Sequence, residues 1–329
     1  MKKIINKLIP APIRSLMNAY RLKKDRATDL KEMLNWNFRS LLDNGDDSDT
    51  ILKRIMLRYH VIEKGLTMPE RRNGFGKDVL MGLISDINTY IEKYGEKNEQ
   101  IPVAIGVVAE YLRVHEEQGF ELDKKVQTQI QSLLKEHPSS AIRQKEIDRD
   151  EYFSDKDKPF DIFSQSRHSL RHFDGPVDMD ILKKALQLAQ NAPSACNRQA
   201  TRVRIISDKE VIAKIFAIQR GNRGFGHLAD KLIVLTTDMR YWEIKTCFGG
   251  YVDGGIYAMN LLYTLHFNKI GACPLNACFT PEEEVKVRKM INLPENENLV
   301  LFIAIGGVPD NFKLANSHRY NSDNVVTFL

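Results

Sequence analysis

Two short stretches of the chain place charged and hydrogen-bonding side chains close enough together to do chemistry. The first reads Arg167-His168-Ser169-Leu170-Arg171-His172-Phe173. Two guanidinium groups four residues apart, with a hydroxyl between them, suit a phosphate. Arginine offers bidentate charge-assisted bonds and serine a short neutral one. The second reads Ala192-Pro193-Ser194-Ala195-Cys196-Asn197-Arg198-Gln199. Pro193 stops a helix, Ser194 can cap a new turn, and Asn197 and Gln199 offer amide donors and acceptors. Taken singly, the first stretch also reads as surface decoration and the second as a capped turn.

Other chemistries find little support. A phosphate-cradling loop needs a glycine five residues before Gly76-Lys77 and a hydroxyl after it. Arg71 and Asp78 stand at those positions. Gly221, Gly224 and Gly226 have the wrong spacing for a dinucleotide fingerprint. Gly249, Gly250, Gly254 and Gly255 fall inside a helical pattern, where they let a neighbour approach closely. No G-x-S-x-G elbow occurs, and no His or Cys spacing suggests zinc, so no metal is expected.

The elements that position these stretches differ between the two halves. Ile51–Glu63, Val79–Tyr94, Val103–Glu117 and Val126–Glu136 carry apolar residues at three- and four-residue spacing, which predicts helices separated by turns at Asn44-Gly45, Asn73-Gly74 and Gly95. Pro138 to Lys158 is highly polar and reads as a linker. Beyond it, helices at Ile181–Asn191, Lys209–Ile218, Ile244–Asn268 and Pro281–Ile291 alternate with strands at Arg202–Ser207, Lys231–Thr237 and Leu299–Ile305. This order predicts a sheet domain with helices packed on it. The expected division is a helical region over 1–155, with a basic arm at 1–25, and a second domain over 156–329.

The motifs taken in order resemble the FMN-dependent nitroreductase family. R-H-S-x-R-x-F is followed, after about twenty residues of helix, by A-P-S-x-x-N-x-Q and then a strand. Asn222 precedes Ala229-Asp230-Lys231, and the long helix ends at Asn268-Lys269-Ile270-Gly271. Next come Ala272-Cys273-Pro274-Leu275-Asn276-Ala277-Cys278-Phe279, then I-G-G-V-P, and finally Ser317-His318-Arg319. The resemblance covers roughly residues 160–329.

The resemblance implies an α+β fold in three layers, with a mixed, mainly antiparallel central sheet flanked by helices, preceded here by an all-α region. It implies FMN in the interface of a homodimer. Arg167, Ser169 and Arg171 would hold the phosphate and ribityl chain, with Arg319 completing the phosphate site and His168 lining the pocket. Pro193, Ser194, Ala195 and Asn197 would reach over from the partner subunit. Asn222 would bond the flavin's polar edge, and the Pro274, Leu275, Asn276 and Ala277 segment would lie beside the ring, with backbone N–H groups facing N5. NADH or NADPH would deliver hydride to N5 and leave, and a small-molecule acceptor would take the electrons in a ping-pong reaction. The flavin carries the chemistry, so no protein side chain is assigned a catalytic role. The alternative is a flavin-binding, non-catalytic scaffold or partner-binding protein. Two departures stand out. Ser317 replaces a frequent lysine, and only Met239–Glu243 connects the strand ending near Asp238 to the long helix.

In the first half, His60-Val61-Ile62-Glu63-Lys64-Gly65-Leu66 is the most distinctive run. Glu63 and Lys64 read as helix-end charges and Gly65 as a C-cap. A lid or specificity element, with His60 and Glu63 on adjacent turns of one face, is the other reading. The chain has 329 residues, 43% hydrophobic and 28% charged, with a net charge of +5. These values describe an ordinary globular chain and exclude a dedicated nucleic-acid binder. The first 24 residues hold seven basic side chains and no acid. That arm is either solvated or a weak contact to an anionic membrane surface. No apolar run approaches the ~20 residues of a membrane-spanning helix. Four cysteines without C-x-x-C spacing suit free thiols in a reducing compartment, so the expected location is cytoplasmic.

Overall fold

A computed structural model of the chain describes residues 47–243, 246 and 248–329, together with residues 10, 12, 13, 16, 17 and 20. The basic arm at 1–25 therefore lies almost wholly outside the described residues. So does Ile244, where the sequence pattern starts the long helix.

Four helices build the first body: α1 (Ser48–Leu66), α2 (Lys77–Tyr94), α3 (Gln100–Glu117) and α4 (Lys124–Glu136). Asp47 caps α1 by accepting the Thr50 N–H at 3.0 Å. Ile51, Ile55 and Ile62 of α1 meet Leu83 and Ile87 of α2 and Ile130 of α4 in one apolar core. Two buried polar side chains of this core are paired. The Tyr59 hydroxyl donates to Gln100 Oε1 at 2.6 Å, and His115 Nε2 accepts the Gly74 N–H at 3.0 Å. His115 Nδ1 faces the Tyr111 carbonyl at 2.7 Å, so the proton sits on Nδ1. Gly65 is not a C-cap: it lies inside α1, and Thr67 caps the helix. Its hydrogen is required because a Cβ there would stand 2.0 Å from the Phe75 ring.

The second body begins earlier than the polar composition suggests. The stretch 138–158 is not a linker throughout. β1 (Lys145–Asp148) pairs antiparallel with β6 (Asn311–Leu314), Lys145 opposite Leu314. Two short helices follow, α5 (Arg149–Tyr152) and α6 (Phe160–Ser166). Tyr152 and Phe153 sit in the core of the sheet body. A four-residue polar strand on an exposed ribbon shows no hydrophobic period, which hides it in the sequence.

The main sheet has the order β2-β3-β5-β4, from β2 (Thr201–Ile206), β3 (Lys231–Asp238), β4 (Gly271–Asn276) and β5 (Glu297–Gly306). Every pairing is antiparallel. The mixed sheet implied by the resemblance thus has no parallel pair among the described residues. β3 is buried along its whole length because helices cover both faces. Leu232 and Val234 point to the side of α8 (Lys209–Ile218) and α10 (Pro281–Met290). Ile233 and Leu235 point to α7 (Met179–Ala189) and α9 (Gly249–Phe267). The three expected layers are therefore present. α9 is apolar on both sides: Tyr257, Leu261 and Leu265 are buried on the sheet, while Tyr251, Val252 and Ile256 are exposed. Its glycines serve close approach, Gly250 to Thr237 and Trp242, and Gly254 to Val300.

Candidate cofactor-binding site

The basic stretch 167–173 leaves α6 and runs beside β4, the edge strand of the sheet. The Leu170 N–H donates to the Ala272 carbonyl at 2.9 Å. Leu170 is fully buried, and a Cβ on Gly271 would stand 2.5 Å from its Cδ2. Phe173 lies just as closely over Gly306. These two anchors pin the stretch, so Arg167, Ser169 and Arg171 run alongside β4. The same edge strand continues into Pro274, Leu275 and Asn276. Arg167, Ser169, Arg171 and the segment 274–277 are therefore brought to one strand edge.

The start of the stretch is held by an aromatic nest. Tyr152 donates its hydroxyl to the His168 carbonyl at 3.0 Å. Its ring meets His266 edge-on, with centroids 4.8 Å apart. His266 Nε2 shares a hydrogen bond with Ser166 Oγ at 2.8 Å. Burial, with Arg167 and then His168 nearby, pushes the His266 imidazole down to about 4, so it is neutral near pH 7. His168 is also pushed down, mainly by burial, and its Nδ1 donates to the Ser166 carbonyl at 2.8 Å.

The cations here lack counter-ions. Neither Arg167 nor Arg171 has a carboxylate partner among the described residues, and Arg167 Nε is buried without a hydrogen-bond partner. A buried guanidinium N–H left unpaired costs free energy that an anionic ligand would recover. Cys273 lies within reach of their charge, but burial dominates and pushes its thiol up. It is a neutral thiol and no nucleophile near pH 7.

The Nitroreductase family model matches residues 165–222. That match lies within the second half of the chain. An FMN-dependent nitroreductase from Clostridium difficile is 21% identical, over 49% of this chain and 92% of that one, with a TM-score of 0.41. A nitroreductase family protein from Streptococcus pneumoniae is 21% identical, over 52% of this chain and 100% of that one, with a TM-score of 0.44. A further one from Clostridium novyi is 16% identical, over 46% and 86%, with a TM-score of 0.42. No curated protein matched.

Other residues of the sheet body stand apart from this edge. Pro193, Ser194, Ala195 and Asn197 form a turn over the amino-terminal part of α9. The Ala195 N–H donates to buried Asp253 at 3.0 Å, and Ser194 Oγ accepts the Gln199 N–H at 3.0 Å. Cys196, Asn197 and Gln199 all adopt φ near +50°. Each left-handed non-glycine residue costs roughly 1–2 kcal/mol, so the turn is held by its surroundings rather than by preference. No hydrogen bond, ion pair or ring contact among the described residues joins it to Arg167–Arg171 of the same chain. Asn222 is buried and spends its amide on its own loop, donating to the Phe216 carbonyl at 2.9 Å. Gln219 ties this loop to the site by donating to the Asn276 carbonyl at 3.1 Å. Arg319 is exposed, bonded to the Ser317 carbonyl, and acts electrostatically on His168 and on Tyr59 of the helical body.

Sequence reasoning missed Tyr152, His266, Gln219 and Lys64 as parts of this region. Lone aromatic or amide residues on helices carry no signal of their role. Lys64 did stand in a distinctive run, but nothing in its spacing told which body it faces.

Proposed function

We propose that the chain is an FMN-dependent oxidoreductase, taking reducing equivalents from NADH or NADPH and passing them to a small-molecule acceptor. The observation that carries this reading is the pair Arg167 and Arg171, without carboxylate partners on the β4 edge, with the Arg167 Nε buried and unpaired. That donor set fits the phosphate of FMN. Bound there, FMN would supply the hydride-accepting and hydride-donating atom. Arg167, Ser169 and Arg171 would bind its phosphate and ribityl chain. The backbone at Asn276 and Ala277 would present N–H dipoles to the ring, fixed by the Gln219 tether. His168 would line the pocket as a neutral imidazole, and Arg319 would add charge from the carboxyl-side segment.

Two features support a homodimer. The outer face of α9 exposes Tyr251, Val252 and Ile256, an apolar stripe at helical spacing that suits a covered surface. The Pro193–Asn197 turn lies beside it and would reach the partner's site. The helical body at 48–136 and the nitroreductase-like body from 145 onward form the proposed domains. Among the described residues no helix is long and apolar enough to cross a membrane. Cys196, Cys273 and Cys278 are free thiols, in keeping with a reducing cytoplasmic setting.

The test is the visible spectrum of the purified protein, identification of the released chromophore, and NADH and NADPH oxidation with an added acceptor. Bound FMN with steady turnover is expected. A colourless protein that refuses added FMN would overturn the reading.

A further inference from the structure

The end of α1 is seated on the nitroreductase-like body. Met68, just past the helix, packs against the core of that body, and its sulfur would stand 3.0 Å from a Cβ on Gly224. Thr67, Met68 and Pro69 line a cavity of about 490 Å³ together with Ile147, Phe312 and His172, the neighbour of Arg171. The last turn of α1 is thus fixed beside the basic stretch. Lys64 stands on that turn, half-buried, and like Arg171 and Arg167 it has no carboxylate partner among the described residues. The acid next to it, Glu63, is buried and engaged by His60 Nδ1 at 3.2 Å.

We propose that Lys64 is a cation of the FMN site, converging with Arg171 and Arg167 at Cys273 of β4, so that the helical body supplies part of the cofactor's binding charge. This rests on the FMN reading above. The charges of Arg171, Lys64 and Arg167 all act on the Cys273 thiol, and burial, with Arg171 after it, opposes the protonation of Lys64. Like charges gathered without a counter-ion destabilise the empty site, and an anion relieves them. FMN brings negative charge in two places, its phosphate and, once reduced, its ring. Either meets the same ammonium chemistry.

The experiment uses the full chain stripped of flavin, as wild type, Lys64→Met and Lys64→Arg. FMN and riboflavin are titrated by flavin fluorescence, and the midpoint potential of bound FMN is measured. If Lys64 meets the phosphate, Lys64→Met weakens FMN roughly tenfold and leaves riboflavin affinity unchanged. If it meets the reduced ring, oxidised FMN binds as in wild type. The midpoint potential then falls by about 30 mV for each tenfold loss of reduced-state affinity. Lys64→Arg retains most of either property. Flavin-free Lys64→Met should melt no lower than wild type, because a like charge has been removed; if it does not fold, Lys64→Gln takes its place. Wild-type FMN affinity and potential in Lys64→Met would overturn the role of Lys64 alone. A wild-type chain that binds neither flavin would overturn both readings.

Discussion

Leu170 and Ala272 share one hydrogen bond, N–H to carbonyl at 2.9 Å, and through it the basic stretch becomes an extension of the sheet edge. The bond works because Gly271 leaves room for the Leu170 side chain. A stretch that would otherwise be a surface loop is held in register with β4, with two arginines two residues to either side of Ser169.

Gly271→Ala tests that seating. The new methyl would stand 2.5 Å from Leu170 Cδ2 and 3.1 Å from the Gly306 carbonyl. Overpacking of this kind costs about 1–3 kcal/mol. Urea unfolding should show a lowered midpoint, and the variant should retain less FMN than wild type. Unchanged stability would mean the stretch is not seated as described.

Arg171→Ala removes one charge-assisted contact to the proposed phosphate. Such contacts contribute about 1.5–3 kcal/mol, so FMN affinity should fall roughly 10- to 100-fold. The remaining affinity should depend less on salt, which fluorescence titration at two ionic strengths would reveal. Undiminished affinity would remove Arg171 from the site.

His266 makes stability depend on pH. Its folded value, about 4, lies below its ordinary 6.5. The unfolded chain therefore binds the proton more readily. The contribution is full above pH 6.5 and is lost as the pH falls toward 4. Between pH 7.5 and 5 the loss is about 2 kcal/mol. His266→Phe lacks this contribution. The difference in unfolding free energy between wild type and variant should therefore shift by that amount over the same range. A parallel pH dependence in both proteins would contradict the buried neutral imidazole.

Gly65→Ala separates two roles for that glycine. In an open helix position alanine would stabilise by about 1 kcal/mol. Against the Phe75 ring it should instead destabilise by about 1–3 kcal/mol. Thermal unfolding of the variant decides between them, and a raised melting temperature would show that Phe75 is free to move.

Much of this was legible in the residues themselves. The KLIVLTT run announces a strand buried on both faces, and the structure covers both. The three- and four-residue spacing of Ile51, Ile55 and Ile62 marks the inner face of α1. Arg167 and Arg171 stand out by type and spacing, and the structure holds both beside β4. What stayed hidden depends on long-range pairing. β1 is four polar residues whose partner lies at 311–314, and local pattern cannot report it. Asn222 entered through the resemblance, and that its Nδ2 donates to the Phe216 carbonyl could not be read from local pattern. Lys64 reads as a helix-end charge, and only the docking of Met68 brings its turn beside the second body.

Glu99, at the start of α3, accepts the Asn321 N–H at 3.0 Å and the Asn324 side chain at 2.6 Å. The first pair of residues lies 222 positions apart. During synthesis the helical body would therefore leave the ribosome and fold long before its clasp exists. The sheet body is synthesised in between, and Arg319 arrives only with the clasp, two residues ahead of Asn321. Completion of the proposed charged site would thus be a late event in the life of the chain, reached when the strap from the carboxyl side binds Glu99 at the start of α3.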